Sequence, residues 1–124
     1  MYASILVMAG GAIGALLRFQ LGQFMSRIWG VNYPYGTFAA NILGGFAMGI
    51  LAAYLIKYHI GETLRLFAGV GVLGGFTTFS AFSLELFQMG QNGNVAAAFI
   101  YAILSVVLTL AALMAGYFLM KSGV

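Results

Sequence analysis

Gly74-Gly75-Phe76-Thr77-Thr78-Phe79-Ser80 stands within an apolar segment that runs from about Leu64 to about Met89. Two glycines followed by two threonines are poor material for a helix interior. Glycine loses the most backbone entropy on ordering, and threonine hydroxyls compete for backbone partners. The stretch reads in two ways. It is either a continuous helix whose glycines admit a close neighbour, or an interruption that leaves several N–H and C=O groups without partners. At membrane depth an interruption is tolerated only where protein, water or an ion meets those groups. Freed carbonyls attract a cation, whereas the N-terminus of a restarted helix attracts an anion.

The rest of the chain places this stretch in a membrane. Of 124 residues, 63% are hydrophobic and only 6% charged, and the mean hydropathy is +1.04. A soluble domain of this length needs far more polar surface. Three further apolar segments run from about Tyr2 to about Met25, about Tyr33 to about Ile56 and about Val95 to about Met120. Each is long enough to cross a hydrocarbon layer of roughly 30 Å at about 1.5 Å per residue. A lone lipid-facing strand cannot satisfy its backbone, and four spans cannot close a barrel. The expectation is an all-α membrane protein with four transmembrane helices, forming a single domain over residues 1–124.

Several function classes are excluded by what the chain lacks. There is no cysteine, so disulfides and thiolate chemistry are out. The formal charge of +3 rests on five basic residues, too sparse for a nucleic-acid surface. His59 stands alone in a predicted loop and reads as an interface residue rather than a metal ligand or a base. No motif supports an enzyme. Met1 to Ser4 carries no basic side chain and the apolar run that follows shows no cleavage pattern, so the first segment reads as a retained helix.

The connections are short. Trp29, Tyr33 and Tyr35 suit a membrane interface, and Pro34 fits the first turn of the second helix, where its missing N–H costs nothing. An even number of spans puts both termini on one side together with Lys57, Arg65 and Lys121. The other side holds Arg27, joined by Arg18 if that residue lies near the surface. This weak bias allows insertion in either direction or in a single one set by the modest excess.

Glycine and polar residues recur at helical spacing. Gly10 and Gly14, Gly45 and Gly49, and Gly71 and Gly75 each lie four apart, which suits close helix packing. Arg18 lies well inside the first segment, where it serves either as an anchor bonded to loop carbonyls or as an attractor of anions. Thr37 and Asn41 share a face of the second segment, and Tyr101, Ser105 and Thr109 share one of the fourth. These stripes read either as hydrogen-bonding glue between helices or as the wall of a conduction path. Phe79, Phe82 and Glu85 share a face beyond the glycine–threonine stretch. The rings are either ordinary packing or positively polarised edges for an anion. Residue chemistry alone stops at a small ion or polar solute.

Three ordered motifs resemble the signatures of the small bacterial fluoride channels, the Fluc or CrcB family. They are Gly10-Gly-Ala-Ile-Gly-Ala-Leu-Leu-Arg18, Gly36-Thr-Phe-Ala-Ala-Asn41-Ile-Leu-Gly44 and Gly71-Val-Leu-Gly-Gly-Phe-Thr-Thr-Phe-Ser-Ala-Phe82. The resemblance covers nearly the whole chain. It implies a passive fluoride channel of the bacterial inner membrane that lowers fluoride toxicity, acting as an antiparallel, dual-topology homodimer with two pores and a third helix broken near its middle. By the same resemblance Asn41, Phe79, Phe82, Tyr101, Ser105 and Thr109 line the pore, with Thr37 and Glu85 close by. Arg18 belongs to the aqueous vestibule, and the backbone carbonyls of Gly74 and Thr77 hold a structural sodium ion on the dimer axis. Phe19 and Ala81 depart from the family pattern, where tyrosine and threonine are common. Neither position carries an implied pore or sodium role.

Two other classes fit the size. A small proton-coupled multidrug exporter also has four spans, but it needs an intramembrane glutamate in the first helix, and no acidic residue precedes Glu62. A non-transporting scaffold would explain the glycines but not a break followed by spaced phenylalanines. The orientation reading is checked directly, because the chain has no cysteine of its own. A single cysteine added at either terminus is expected to react with an impermeant maleimide from both sides of the membrane in cells. Labelling from the cytoplasmic side alone would mean one fixed orientation.

Overall fold

The structure, a computed structural model, describes residues 1–123. Its main elements are α1 (Tyr2–Trp29), α2 (Tyr35–Lys57), α3 (residues 62–76), α4 (Ser80–Gln91) and α5 (Val95–Lys121). Four helical segments are long and apolar enough to cross a membrane; α3 and α4 together make the third, Glu62–Gln91. At about 1.5 Å per residue, the 28 residues of α1 reach beyond the apolar layer of a bilayer. Pro34 sits one place earlier than its sequence suggests, as the residue before α2, and its carbonyl accepts the Phe38 N–H at 3.1 Å.

The packing inverts that of a soluble protein. The buried residues of α1 are Gly10 and Gly14 alone. Those of α2 are Ala40, Gly44, Gly45, Gly49 and Ala53. Large apolar side chains point outward instead, Leu16, Phe24, Phe99 and Val106 among them, each more than half exposed. Lipid tails are as apolar as leucine, so no hydrophobic force drives these side chains inward. Helices associate by close van der Waals contact, which small residues permit.

The glycine pairs make that contact backbone to backbone. Gly10 and Gly14 of α1 meet Phe67, Gly71, Val72 and Phe76 of α3; a Cβ built on Gly71 would lie 2.9 Å from the Gly10 Cα. Gly45 and Gly49 of α2 meet the Thr109 and Leu113 carbonyls of α5, while Gly116 of α5 meets the Phe46 carbonyl in return. The packing reading of the glycine pairs is therefore the structural fact.

Two features of the third span differ in kind. From Arg65 to Leu73 the backbone is a π-helix, which the sequence pattern does not announce. Its wider turn agrees with the contacts, because Phe67 and, four and five residues on, the adjacent Gly71 and Val72 all meet Gly10 of α1. The second feature is the expected interruption. It falls at residues 77–79, later than the glycines, because Gly74–Phe76 is still helical.

Gly49→Ala is expected to lower stability by about 1–3 kcal/mol, since its methyl would overlap the Leu113 carbonyl and a close-packed pair of helices must part to admit it. Gly90→Ala is the control, because a Cβ there meets nothing within 4 Å. Thermal unfolding of the two variants in detergent checks the difference.

Candidate ion site at the interrupted helix

The interruption begins with Thr77, whose backbone is extended at φ −86° and ψ 158°. Its N–H and its hydroxyl both donate to the Leu73 carbonyl, at 3.0 and 2.9 Å. Asn41 of α2 then closes on the next peptide from the side. The Thr78 N–H donates to Asn41 Oδ1 at 2.8 Å, and Asn41 Nδ2 donates to the Thr78 carbonyl at 3.1 Å. The Thr78 hydroxyl oxygen accepts the Ala81 N–H at 3.2 Å, which satisfies one donor in the first turn of α4. Arg18 Nε donates to the Gly75 carbonyl at 3.3 Å. Arg18 thus bonds a single carbonyl in the last turn of α3 rather than the loop carbonyls expected for an anchor, and uses one of its five guanidinium N–H donors.

Among the described residues, no hydrogen bond reaches the Gly74 or Thr77 carbonyl. These are the two oxygens expected at a sodium site. Carbonyl oxygens suit a hard cation, and Gly74 is exposed at the protein surface, so a second set of oxygens has access to it. No group of three or more His, Cys, Asp or Glu that could hold a metal comes together among the described residues.

Beside the interruption lies a cavity of ≈ 630 Å³, lined by Asn41, Phe79, Phe82, Ser105 and Thr109 together with Gly74, Thr77 and apolar residues of α2 and α5. Ser105 Oγ and Thr109 Oγ1 are buried beside it without a well-formed hydrogen bond, Ser105 Oγ lying next to the Tyr101 hydroxyl. Helical serine and threonine usually bond back to a carbonyl one turn earlier; these two keep their hydroxyls unspent. The two rings differ. Phe82 is buried at 7% exposure, while Phe79 is 77% exposed. Their centroids are 5.7 Å apart with planes at 53°.

Tyr101, Thr37 and Glu85 do not line this cavity. They form a second cluster, in which Thr37 Oγ1 donates to Glu85 Oε2 at 2.6 Å and the Tyr101 hydroxyl donates to Glu85 Oε1 at 2.9 Å. Phe82 links the clusters, with its ring 5.2 Å from that of Tyr101 and at 65° to it. Tyr101 also lines a smaller cavity of ≈ 330 Å³ that is mostly apolar. The hydroxyl stripe of the fourth span therefore divides: Thr109 carries a free donor, Ser105 lies against the Tyr101 hydroxyl, and the Tyr101 proton is committed to a carboxylate.

Sequence reasoning missed Thr78, which organises the interruption through backbone, carbonyl and hydroxyl alike. A signal existed, since a threonine hydroxyl at the start of a helix commonly accepts the N–H three residues on, here that of Ala81. The pairing of Glu85 with Thr37 and Tyr101 had none, because it joins three spans.

The chain matches the family described as CrcB-like protein, Camphor Resistance (CrcB), over residues 5–117. It is 54% identical over 125 residues to a fluoride-specific ion channel FluC from Phenylobacterium zucineum, covering 98% of this chain and 97% of that one. It is 49% identical over 123 residues to a protein of the same description from Novosphingobium aromaticivorans, with 98% of each chain covered. A third, from Caulobacter vibrioides, is 51% identical over 116 residues and covers 90% of each chain.

Proposed function

Because this chain belongs to the CrcB-like family, we propose that it is a fluoride-selective passive channel of the bacterial inner membrane, acting as an antiparallel homodimer with two pores. The observation that carries this reading is that Ser105 and Thr109, whose buried hydroxyls make no well-formed hydrogen bond to a backbone carbonyl, line the same cavity as Asn41 and the two phenylalanines. A buried hydroxyl without a partner costs roughly 1–3 kcal/mol. An anion passing through the cavity would accept from both groups.

Fluoride is small and holds its water tightly, so a selective path must replace that water with donors. Ser105 and Thr109 each offer one O–H, and Asn41 keeps one N–H beyond its bond to Thr78. The edges of Phe79 and Phe82 add partial positive charge without a strong bond. A channel must bind its ion well enough to admit it and weakly enough to release it, and ring edges beside a few true donors suit that compromise. The Glu85 carboxylate lies next along the path. Thr37 and Tyr101 hydrogen-bond to it and disperse its charge.

The dimer reading rests on the exposed face around the interruption. Gly74 and Phe79 are exposed at membrane depth, and the Gly74 and Thr77 carbonyls are unbonded. A twofold-related copy would cover this face. It would also bring a second Gly74 and a second Thr77, so that these carbonyls together could hold a sodium ion on the axis. Such an ion supplies the positive charge that freed carbonyls need. Each protomer's cavity then gains a second wall, and the antiparallel arrangement places one cavity on each side of the axis.

Purified protein in liposomes is expected to release fluoride down its gradient and to hold chloride. Equal release of both ions, or release of neither, would remove the proposed selectivity. Phe79→Ile is the cleaner ring test, since a side chain 77% exposed contributes little to the fold of the protomer. It is expected to leave a monodisperse protein and to slow fluoride flux by at least roughly tenfold, about 1.4 kcal/mol of lost stabilisation in the path. Wild-type flux in a well-folded Phe79→Ile protein would return the ring to packing.

A further inference from the structure

Building on the channel reading above, we propose that Asn41 acts on conduction as a positioning residue: its carboxamide, closed on the Thr78 peptide, sets the backbone from which Phe79 projects. The argument begins with Phe79 itself. Its side chain is 77% exposed, and the aromatic neighbour it has is Phe82, 5.7 Å away. Packing within the protomer therefore does not aim this ring. Its direction within the protomer follows from its backbone: the Phe79 carbonyl opens α4 by accepting the Ser83 N–H at 2.8 Å, while on the other side Phe79 follows Thr78, the residue whose own N–H and carbonyl have left the helical ladder.

Asn41 supplies what the helix no longer does. One side chain accepts the Thr78 N–H and donates to the Thr78 carbonyl, at 2.8 and 3.1 Å, in the pattern by which a neighbouring strand would pair with it. A carboxamide on a one-carbon stem presents donor and acceptor in one plane. Aspartate lacks the donor, glutamine is a carbon longer, and leucine offers neither group. The attachment is also matched by a second one. Thr37, one helical turn before Asn41 on α2, donates to Glu85 of α4 at 2.6 Å. Phe79 and Phe82 lie between residues 78 and 85, so one face of α2 grips the ring-bearing segment at both ends.

Asn41 thus has two jobs that separate experimentally. As a donor to the ion it would use its remaining N–H. As a positioning group it uses the other N–H and its oxygen. Hydrogen–deuterium exchange of the protein in nanodiscs reads the second job without any need for flux. In Asn41→Ala, a peptide covering residues 77–82 is expected to exchange roughly tenfold faster or more, while α1 and α5 stay protected. Fluoride flux is expected to fall by a similar factor. Adding Phe79→Ile to Asn41→Ala should then slow flux by less than roughly twofold further, because the ring is already misplaced.

Unchanged exchange at residues 77–82, together with a Phe79→Ile effect that multiplies in full, would overturn the proposal and leave Asn41 as a direct donor alone. Asn41→Asp guards against a folding failure. It keeps the size and the acceptor for the Thr78 N–H, and it is expected to give intermediate exchange. If the wild-type protein conducts no fluoride, the channel reading fails separately. Exchange then still decides whether Asn41 holds the segment, and full protection in Asn41→Ala would overturn that.

Discussion

A peptide group inside a lipid bilayer has no water to bond, and each unmet N–H or C=O there costs several kcal/mol. The third span of this protein breaks its helix at residues 77–79 all the same. Much of the remaining structure can be understood as the provision of partners for that break. Asn41 reaches across from α2 to Thr78, and Arg18 reaches from α1 to Gly75. The Thr78 hydroxyl turns back to start α4. Two carbonyls, those of exposed Gly74 and half-buried Thr77, are left over. Groups in that position favour a cation or a second protein face, which is why the dimer and the sodium ion belong to one proposal.

The partners can reach only because the helices are close. Gly10 and Gly14 let α1 touch the backbone of α3, and this brings Arg18, one turn further on, within 3.3 Å of the Gly75 carbonyl. Gly44 lies against the side-chain methyl of Thr77 and keeps α2 near enough for the short stem of Asn41. An alanine at these glycines would press the helices apart by more than a hydrogen bond tolerates. Close packing and polar repair are therefore one device. The first without the second would leave orphaned peptides, and the second without the first would have no reach.

This division explains what was legible beforehand. The four spans, the glycine faces and the interruption follow from composition and local propensity, so Gly10, Gly49 and the glycine–threonine stretch announced their parts. The π-helix from Arg65 to Leu73 did not. It answers to the surface of α1, and that surface exists only once the helices have met. The same holds for polar pairing. Tyr101, Ser105 and Thr109 look alike on a helical wheel, yet the structure spends the first on Glu85, sets the second beside it and leaves the third free. Periodicity shows which residues share a face. It does not show which of them are already engaged by a neighbouring helix.

That engagement bears on how an anion could pass a carboxylate. A bare Glu85 would repel fluoride, and Coulomb repulsion is strong where water is scarce. Thr37 and Tyr101 meet one oxygen each, so the negative charge is shared with two hydroxyl dipoles. The Phe82 ring packs against Tyr101 of this cluster and also lines the larger cavity. An ion passing from that cavity toward Glu85 would therefore meet the Phe82 ring on its way. The hydroxyls that now hold Glu85 are also donors a passing anion could borrow, at the cost of baring the carboxylate while it does. Affinity at that step would be limited by the strength of the Glu85 bonds, and a path that must not hold its ion too firmly gains from such a limit.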